Sequence, residues 1–239
     1  MKGLIVELEP KSPVSESYRT LRTNIEFSSI DKETKRVLVT SSGPQEGKST
    51  LSANLALTMA NSGKRTLYID CDLRKPTVHK KFKITNRIGL SNLLVDGLKL
   101  EETVMCYAPS LDILTAGTIP ANPSEIISSK KMKAFLDLAQ TKYERIIIDS
   151  PPLNAVTDAQ ILATLVDGVV LVVAAGQTEV EGAKKAKSLL DKVNANILGV
   201  VLNKSEKGRG KKYNSNGYYY YYGDEDNSTE SKKRKRSKK

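Results

Sequence analysis

The sequence predicts an α/β fold, a mostly parallel β-sheet with helices on both faces, followed by a disordered C-terminal tail. Short apolar, β-branched runs alternate along the chain with stretches of helix-forming residues, as they do in strand–helix–strand crossovers. Several of these runs are apolar throughout, which is typical of strands buried on both faces of a sheet. The apolar pattern stops near Lys204, where Lys, Gly, Asn, Ser and Tyr take over. We therefore expect one domain over residues 1–203 and a flexible, tyrosine-rich and basic tail over residues 204–239.

Each predicted strand is one of the apolar runs, and each predicted helix carries helix-forming residues at helical spacing. The predicted strands are 36–40, 66–69, 111–115, 145–148, 169–173 and 197–202. The helices predicted between them are 48–61, 124–140 and 179–193.

One more helix, over residues 13–27, is predicted before the first strand, because Ser12 suits the N-cap and Pro13 the first helical position. One of its faces is apolar, with residues spaced at helical intervals: Val14, Tyr18, Leu21 and Ile25. A different arc is charged and carries Glu16, Arg19, Arg22 and Glu26. This arc is either the solvated face of a helix docked on the sheet or a contact to a second subunit, in which Arg pairs with carboxylates.

The composition excludes several classes of protein. Of the 239 residues, 39% are hydrophobic and 27% are charged, as in soluble globular domains. The longest apolar run, 169–175, is far shorter than the roughly 18 residues of a membrane helix, and charges at 7, 9 and 11 interrupt any secretory leader. Cys71 and Cys106 are too few for a disulfide framework and lack metal-ligand spacing. We therefore expect a cytoplasmic protein.

The net charge of +11 belongs mainly to the tail. Residues 204–239 contain twelve Lys and Arg against five Asp and Glu, which gives +7, and the remaining residues carry only +4. Because basic and acidic residues nearly balance in the predicted domain, its net charge alone identifies no partner. We expect no nucleic-acid binding.

The run SSGPQEGKST at 41–50 follows the first strand and opens a helix, which is the context of a phosphate-binding loop. Lys48 is expected to reach the β- and γ-phosphates of a nucleotide, and the Ser49 hydroxyl is expected to ligate Mg²⁺. Ser42 stands where the usual pattern has its first glycine, but Gly43 follows directly and Ser is small. The alternative is a glycine-containing turn that binds nothing. The residues that we predict to bind ATP in this loop are Gly43, Glu46, Gly47, Lys48, Ser49 and Thr50.

Polar side chains follow three other predicted strands. Asp70 and Asp72 lie on the same side of an extended strand end, where they either hold metal waters and accept a proton or only cap a loop. Asp149 ends the run 145–148, an arrangement that places a carboxylate near Mg²⁺ in nucleotide-binding proteins. Asn203 follows the last strand. Its side-chain amide either bonds to the edge of a purine ring, which would make it an ATP-binding residue, or belongs to a turn.

The tail contains five consecutive tyrosines between two glycines. They are Tyr218, Tyr219, Tyr220, Tyr221 and Tyr222. A polar segment offers these rings no core to join, so their hydroxyls stay exposed, which suits phosphate acceptors. The alternatives are a low-complexity tract without a task and an adhesive strand.

Taken together, these residues resemble the bacterial tyrosine kinases, in particular the cytoplasmic kinase of the split, Gram-positive type. The resemblance covers essentially the whole chain, with one departure, Tyr68, in a triplet that is normally aliphatic. It rests on Glu16-x-x-Arg19-x-x-Arg22, the loop through Lys48-Ser49, Asp70-x-Asp72-x-Arg74, Asp149 and the tyrosine cluster. It implies a P-loop NTPase-type fold and transfer of the ATP γ-phosphate to tyrosine. Lys48, Asp70 and Asp72 would be catalytic, and Mg²⁺ would be held by Ser49, Asp70 and Asp149.

The resemblance also implies partners. Members of this type assemble into homo-oligomeric rings through residues matching Glu16, Arg19 and Arg22, and phosphorylate a neighbour's tail, here the cluster from Tyr218 to Tyr222. A separate transmembrane activator recruits them to the inner face of the plasma membrane, and they regulate capsular or extracellular polysaccharide synthesis and export. One alternative is a dimerising switch ATPase of the partition or division-site type, whose loop carries an extra lysine where this chain has Gly43. Another is a nucleotide-sensing adaptor for polysaccharide export.

Overall fold

Seven β-strands form one sheet in residues 3–28 and 33–205, the part of the chain that the computed structural model describes. The strands are β1 (Arg36–Ser41), β2 (Thr66–Asp70), β3 (Met105–Ala108), β4 (Leu111–Leu114), β5 (Arg145–Asp149), β6 (Gly168–Ala174) and β7 (Ile197–Asn203). Their order across the sheet is β3-β4-β2-β5-β1-β6-β7, and every neighbouring pair is parallel except β3 and β4. The mostly parallel α/β fold predicted from the sequence is confirmed.

The predicted tail beyond Ser205 lies outside the described residues. The five predicted phosphate acceptors belong to it, and their assignment stays a prediction from the sequence: Tyr218, Tyr219, Tyr220, Tyr221 and Tyr222.

Ten helices accompany the sheet in the same described ranges. They are α1 (Ile5–Leu8), α2 (Pro13–Glu26), α3 (Lys48–Ala60), α4 (Val78–Phe82), α5 (Leu90–Val95), α6 (Leu100–Thr103), α7 (Pro123–Ile127), α8 (Lys130–Lys142), α9 (Asp158–Ala163) and α10 (Val180–Asp191). Helices α1 to α4 pack on one face of the sheet and α5 to α10 on the other, because alternate strand side chains point to opposite faces. None of these helices is both long and apolar enough to cross a membrane.

The single helix predicted over 124–140 is wrong, because the structure divides this stretch into α7 and α8. The Ser129 hydroxyl accepts a hydrogen bond from the Met132 amide at 3.2 Å and caps the start of α8. Strand β3 was not predicted, because it is a four-residue edge strand whose side chains are only partly buried.

The N-terminal helix is confirmed as α2, with the predicted cap: Ser12 accepts a hydrogen bond from the Ser15 amide at 3.2 Å. Its predicted faces are partly wrong. Val14 is 52% exposed, although we assigned it to the apolar face. Arg22, which we assigned to the charged arc, lies largely against α3, where its guanidinium donates to the Thr58 carbonyl at 3.3 Å.

The sheet order brings three strand ends together. Strand β5 lies between β1 and β2, so that Asp149 pairs with Asp70 on one side and with Val39 on the other. Because the three strands are parallel, their carboxyl ends meet at the same edge of the sheet, which is where ligands bind in folds of this kind.

Candidate active site

The loop between β1 and α3 depends on a glycine at its end. Gly47 is the N-cap residue of α3 and has a φ of 93°, a conformation that side chains strongly disfavour. A Cβ atom at this position would also collide with the side-chain amide of Asn203, which donates to the Glu46 carbonyl at 2.9 Å. Glycine therefore lets the loop lie directly against the end of β7. The amides of Lys48 and Ser49, which precede the first bonds of α3 from Thr50 and Leu51 to the Gly47 carbonyl, are left to bind an anion.

We expect Gly47→Ala to weaken nucleotide binding at least about tenfold, since a non-glycine residue at this φ costs about 1–3 kcal/mol and the collision with Asn203 adds to that cost. Calorimetric titration with ADP measures the effect. Gly63→Ala is the matched control, because Gly63 has a φ of 87° but a Cβ atom placed there would have no atom within 4 Å. Equal ADP affinity in the two variants would contradict this role of Gly47.

Glu46, which we predicted to contact ATP, braces the loop. Its side chain is only 3% exposed, and Oε1 accepts hydrogen bonds from the Ser42 and Thr178 hydroxyls, both at 2.6 Å. Ser42 therefore has its own function at the position where glycine is usual. The geometry favours a structural role for Glu46 over a contact to the nucleotide.

Asn203 also holds the loop rather than forming a simple turn. Its amide nitrogen is bonded to the Glu46 carbonyl, and the next residue, Lys204, donates to the Gln45 carbonyl at 2.6 Å. The end of β7 thus fixes the two residues that precede Gly47.

The Lys48 ammonium lies among carboxylates. Its Nζ is 3.2 Å from Asp72 Oδ2 and 3.6 Å from Asp149 Oδ2, and it donates to Ser49 Oγ at 3.1 Å. Burial lowers the pKa of Lys48, but the charges of Asp149 and Asp72 outweigh it, so that the pKa lies above its usual value. The structure therefore brings Lys48, Ser49, Asp72 and Asp149 together, as the sequence predicts.

Asp149 has the environment expected of a cation ligand. It is fully buried, and neither carboxylate oxygen has a well-directed hydrogen-bond donor in the described structure. Burial raises its pKa, and the Lys48 charge and the nearby Ser49 hydroxyl oppose that shift. Hard oxygen ligands of this kind, a carboxylate beside a hydroxyl, fit Mg²⁺. In the described ranges no three His, Cys, Asp or Glu side chains group as a metal site.

Asp70 and Asp72 differ in what occupies their oxygens. Asp70 is fully buried: its Oδ1 accepts the Asp72 amide at 3.1 Å, and its Oδ2 accepts the amides of Thr77 and Val78 at 3.1 and 3.0 Å. Asp72 accepts the Lys75 amide on Oδ1 at 3.0 Å, while its Oδ2 faces Lys48. Asp70 therefore shapes the loop after β2, and Asp72 presents an oxygen to the site.

We expect the stability of the nucleotide-free and magnesium-free protein to fall as the pH rises from about 4 to about 7. Burial, followed by the charge of Asp149, raises the pKa of Asp70 to about 7. The unfolded carboxyl loses its proton near pH 4, so the stabilisation is fully present below about pH 4 and is lost as the pH rises through 7. Melting temperatures at pH 5 and pH 8 test this. Asp70→Asn should lose less stability over that interval than the native chain, and parallel pH curves would contradict the assignment.

Three further residues at this edge of the sheet were not predicted from the sequence: Asp158, Lys81 and Thr178. Arg74 donates from Nε and Nη2 to the buried Asp158 at 2.9 and 3.1 Å, which ties the loop after β2 to α9. Lys81 donates to the Thr50 hydroxyl at 2.8 Å. Thr178 reaches Glu46 from the loop after β6. Arg74 belongs to the quoted motif, whereas no motif marks Asp158, Lys81 or Thr178.

The residues that we predicted for subunit contacts do not share one environment. Glu16 is exposed and Arg19 is partly exposed, with side-chain exposures of 66% and 40%, and the two pair with each other at 2.7 Å. Arg19 also donates to the Pro10 carbonyl at 2.5 Å. Arg22 is only 23% exposed. Glu16 and Arg19 are therefore available to a second chain, and Arg22 mainly supports the packing of α2 on α3.

Comparison with known proteins identifies relatives over most of the chain. The family described as ParA, NUBPL iron-transfer P-loop NTPase, matches residues 33–234. The chain is 47% identical over 213 residues to tyrosine-protein kinase YwqD of Bacillus subtilis, covering 89% of this chain and 90% of that protein. It is 36% identical over 201 residues to tyrosine-protein kinase CpsD of Streptococcus agalactiae, covering 83% and 86%. Among solved structures, the chimerical protein CapA2B2 matches with a TM-score of 0.82 at 42% identity, covering 85% of this chain and 90% of that one.

Proposed function

The chain belongs to the bacterial tyrosine-protein kinases, with a nucleotide-binding P-loop NTPase fold of the ParA type, and we propose that it transfers the γ-phosphoryl group of ATP to tyrosine. The observation that carries the proposal is the site at the shared edge of β1, β2 and β5. There, one lysine on a phosphate-binding loop lies within 3.6 Å of two carboxylates.

The phosphates are bound by the first turn of α3 together with Lys48. Lys48 contacts Asp72 and Asp149, and we propose that it turns to the β- and γ-phosphates when ATP binds. That movement frees Asp72 Oδ2. Mg²⁺, when bound, neutralises charge on these phosphates, and Ser49 and Asp149 are suited to hold it, with Asp70 in support.

Asp72 is then the proton acceptor. The tyrosine oxygen forms a bond to the γ-phosphorus, the bond from that phosphorus to the bridging oxygen breaks, and ADP leaves with the electron pair. The phenolic proton passes to Asp72 Oδ2, which the Lys75 amide on Oδ1 keeps in position. Asp70, with an amide donor on each oxygen, acts through the loop that it shapes.

Incubation of the full chain with magnesium and [γ-³²P]ATP, followed by acid hydrolysis, tests this function. Radioactivity in phosphotyrosine is the expected result. Release of inorganic phosphate without phosphotyrosine would favour the switch-ATPase alternative instead, and nucleotide binding without either product would favour the adaptor. No observation in the site favours these alternatives, and Gly43 stands where the switch ATPases carry their extra lysine.

We further propose that the acceptors are the five tail tyrosines of a neighbouring chain in a homo-oligomeric ring, and that a separate transmembrane activator recruits this cytoplasmic kinase to the plasma membrane. The proposed acceptors are Tyr218, Tyr219, Tyr220, Tyr221 and Tyr222. The proposed pathway is capsular or extracellular polysaccharide synthesis and export. The support for these steps is the resemblance carried by the motif on α2 and by the tyrosine cluster.

The exposed pair on α2 provides a test of assembly. We expect Glu16→Ala combined with Arg19→Ala to reduce the mass in light scattering to that of a single chain. ADP affinity should stay unchanged, because the hydrogen bonds of the Arg19 side chain go to Glu16 and Pro10, distant in sequence from the phosphate-binding loop. Arg22 is left intact, since its contact with Thr58 would confound the result.

The matched control is Glu181→Ala combined with Lys184→Ala on α10, which form an exposed pair at the same spacing, 2.9 Å apart. This control should keep the mass of the native assembly. An unchanged mass in the α2 variant would mean that Glu16 and Arg19 make no subunit contact and belong to the solvated face of the helix.

A further inference from the structure

A strongly basic segment follows Asp72 and borders the active site. Six Lys and Arg residues lie between 74 and 87, whereas no Asp or Glu lies between 73 and 95. The six are Arg74, Lys75, Lys80, Lys81, Lys83 and Arg87. Two of them are engaged, Arg74 with Asp158 and Lys81 with Thr50.

The three remaining lysines form a surface that we name the basic rim: Lys75, Lys80 and Lys83. All three are exposed, and none makes an ion pair within residues 3–28 and 33–205. Their position is fixed by the buried side chains of Val78 and Phe82, which anchor α4 on the sheet and leave the rim facing solvent. The rim therefore presents three exposed lysines, on α4 and directly beside it, that have no ion-pair partner in the described part of the chain.

The basic rim begins at the proposed proton acceptor. The Lys75 amide donates directly to Asp72 Oδ1, and the amide of Val78 donates to Asp70. Because α4 has five residues, it extends only about 7.5 Å beyond that point. A substrate whose tyrosine reaches Asp72 thus passes close to the rim.

The sequence contains a segment of opposite charge beside the proposed acceptors. Asp224, Glu225 and Asp226 follow Tyr222 after a single glycine, and they are three of the five acidic residues after Ser205. A fully extended chain advances about 3.3–3.6 Å per residue, so a tail bound in that conformation would place these carboxylates about 7–14 Å beyond Tyr222. This spacing is comparable to the roughly 7.5 Å over which α4 extends from the site.

We propose that the basic rim is a substrate-docking surface that binds the acidic residues 224–226 in the tail of a second copy of this chain. The inference rests on the proposed kinase function and adds the residues that select the substrate. Long-range attraction between the two segments raises the rate of encounter, and the contact sets which tyrosine enters the site. Tyrosines close to an acidic run are therefore preferred over equally exposed tyrosines in neutral or basic segments.

Steady-state kinetics with tail peptides test the proposal. The enzyme is the full chain with the five tyrosines at 218–222 changed to Phe and residues 224–226 neutralised, so that its own tail neither accepts phosphate nor competes. The substrate is a synthetic peptide of residues 214–228, compared with the same peptide carrying D224N, E225Q and D226N. The rim variant carries Lys75→Gln, Lys80→Gln and Lys83→Gln in the same background. The matched control carries Lys133→Gln, Lys185→Gln and Lys192→Gln, which remove the same charge from exposed positions near helices of the opposite face.

We expect the rim variant to raise the KM for the acidic peptide about tenfold, with little change in kcat, in the KM for ATP or in melting temperature. Neutralising the peptide should have a similar effect, and combining both changes should add nothing further. The difference in KM for the acidic peptide between the rim variant and the enzyme with an intact rim should shrink at 0.5 M salt, since exposed charges are screened. The control lysines should leave the KM unchanged.

The opposite outcomes are equally clear. An unchanged KM in the rim variant, or an equal rise with the acidic and the neutral peptide, would overturn the proposal. So would loss of binding to phosphatidylserine vesicles in the rim variant with an unchanged peptide KM, because the rim would then serve a membrane. Anisotropy of a fluorescent peptide measures docking without turnover. Docking without phosphotyrosine would contradict the kinase function and not the rim.

Discussion

Lys48→Met is expected to lower the rate of tyrosine phosphorylation at least about 10³-fold. Lys48 is the side chain that the phosphate-binding loop offers to the β- and γ-phosphates, and methionine keeps its length while removing the charge. The substitution also leaves Asp149 buried without its neighbouring cation, so we expect the pKa of Asp149 to rise further. The carboxyl should then bind a proton, and the domain should stay folded.

The measurement is the initial rate of phosphotyrosine formation by the purified full chain, with the melting temperature recorded in parallel. Lys185→Met is a matched control, because Lys185 is an exposed lysine on α10. A Lys48→Met chain that keeps a substantial rate would remove this lysine from the mechanism. A lost rate accompanied by a collapsed melting temperature would mean that Lys48 is needed for folding.

Asp72→Asn should lower kcat by about 10²–10⁴-fold, the range expected when a general base is lost. Asparagine keeps the shape of the side chain, and its carbonyl oxygen can still accept the Lys75 amide, so the loop after β2 should stay in place. The KM for ATP should change little, because the phosphates are bound by α3 and Lys48.

The comparison with Asp70→Asn separates the two carboxylates. Asp70 is fully buried, with amide donors on both oxygens, so its substitution should affect stability and the pH dependence of stability as well as activity. Asp72→Asn should affect kcat with little effect on melting. If Asp72→Asn kept activity within about threefold, or lost stability in proportion to activity, Asp72 would be a structural residue instead.

The sequence predicts the arrangement of the site wherever a residue's place depends on the strand that carries it. Asp70, Asp149 and the loop through Lys48 each follow a recognisable apolar strand, and parallel strands bring their carboxyl ends to one edge. The three groups therefore meet although they are far apart in the sequence. Parallel pairing predicts only that they share one edge; their direct contact also requires the order β2-β5-β1, which the sequence does not predict.

The roles that the sequence does not reveal depend on particular side-chain partners. From the sequence, Glu46 is expected to contact a nucleotide, yet its carboxylate accepts a hydrogen bond from Thr178, 132 positions later. Arg22 shares a helical arc with Arg19, yet its guanidinium packs on α3 and donates to the Thr58 carbonyl. Ser129 lies inside a stretch with helical composition, yet it caps a new helix. Local spacing holds no information about such partners, because the fold supplies them.

Phosphate transfer from one chain to the tail of another can be measured with two marked chains. A Lys48→Met chain with its tail intact is mixed with an active chain whose five tail tyrosines, at 218–222, are changed to Phe, and magnesium and ATP are added. Mass spectrometry then locates phosphate on each chain. We predict phosphotyrosine at 218–222 of the Lys48→Met chain, since its tail enters the intact site of its neighbour. Absence of phosphate there, when the native chain labels its own tail under the same conditions, would contradict phosphorylation between subunits.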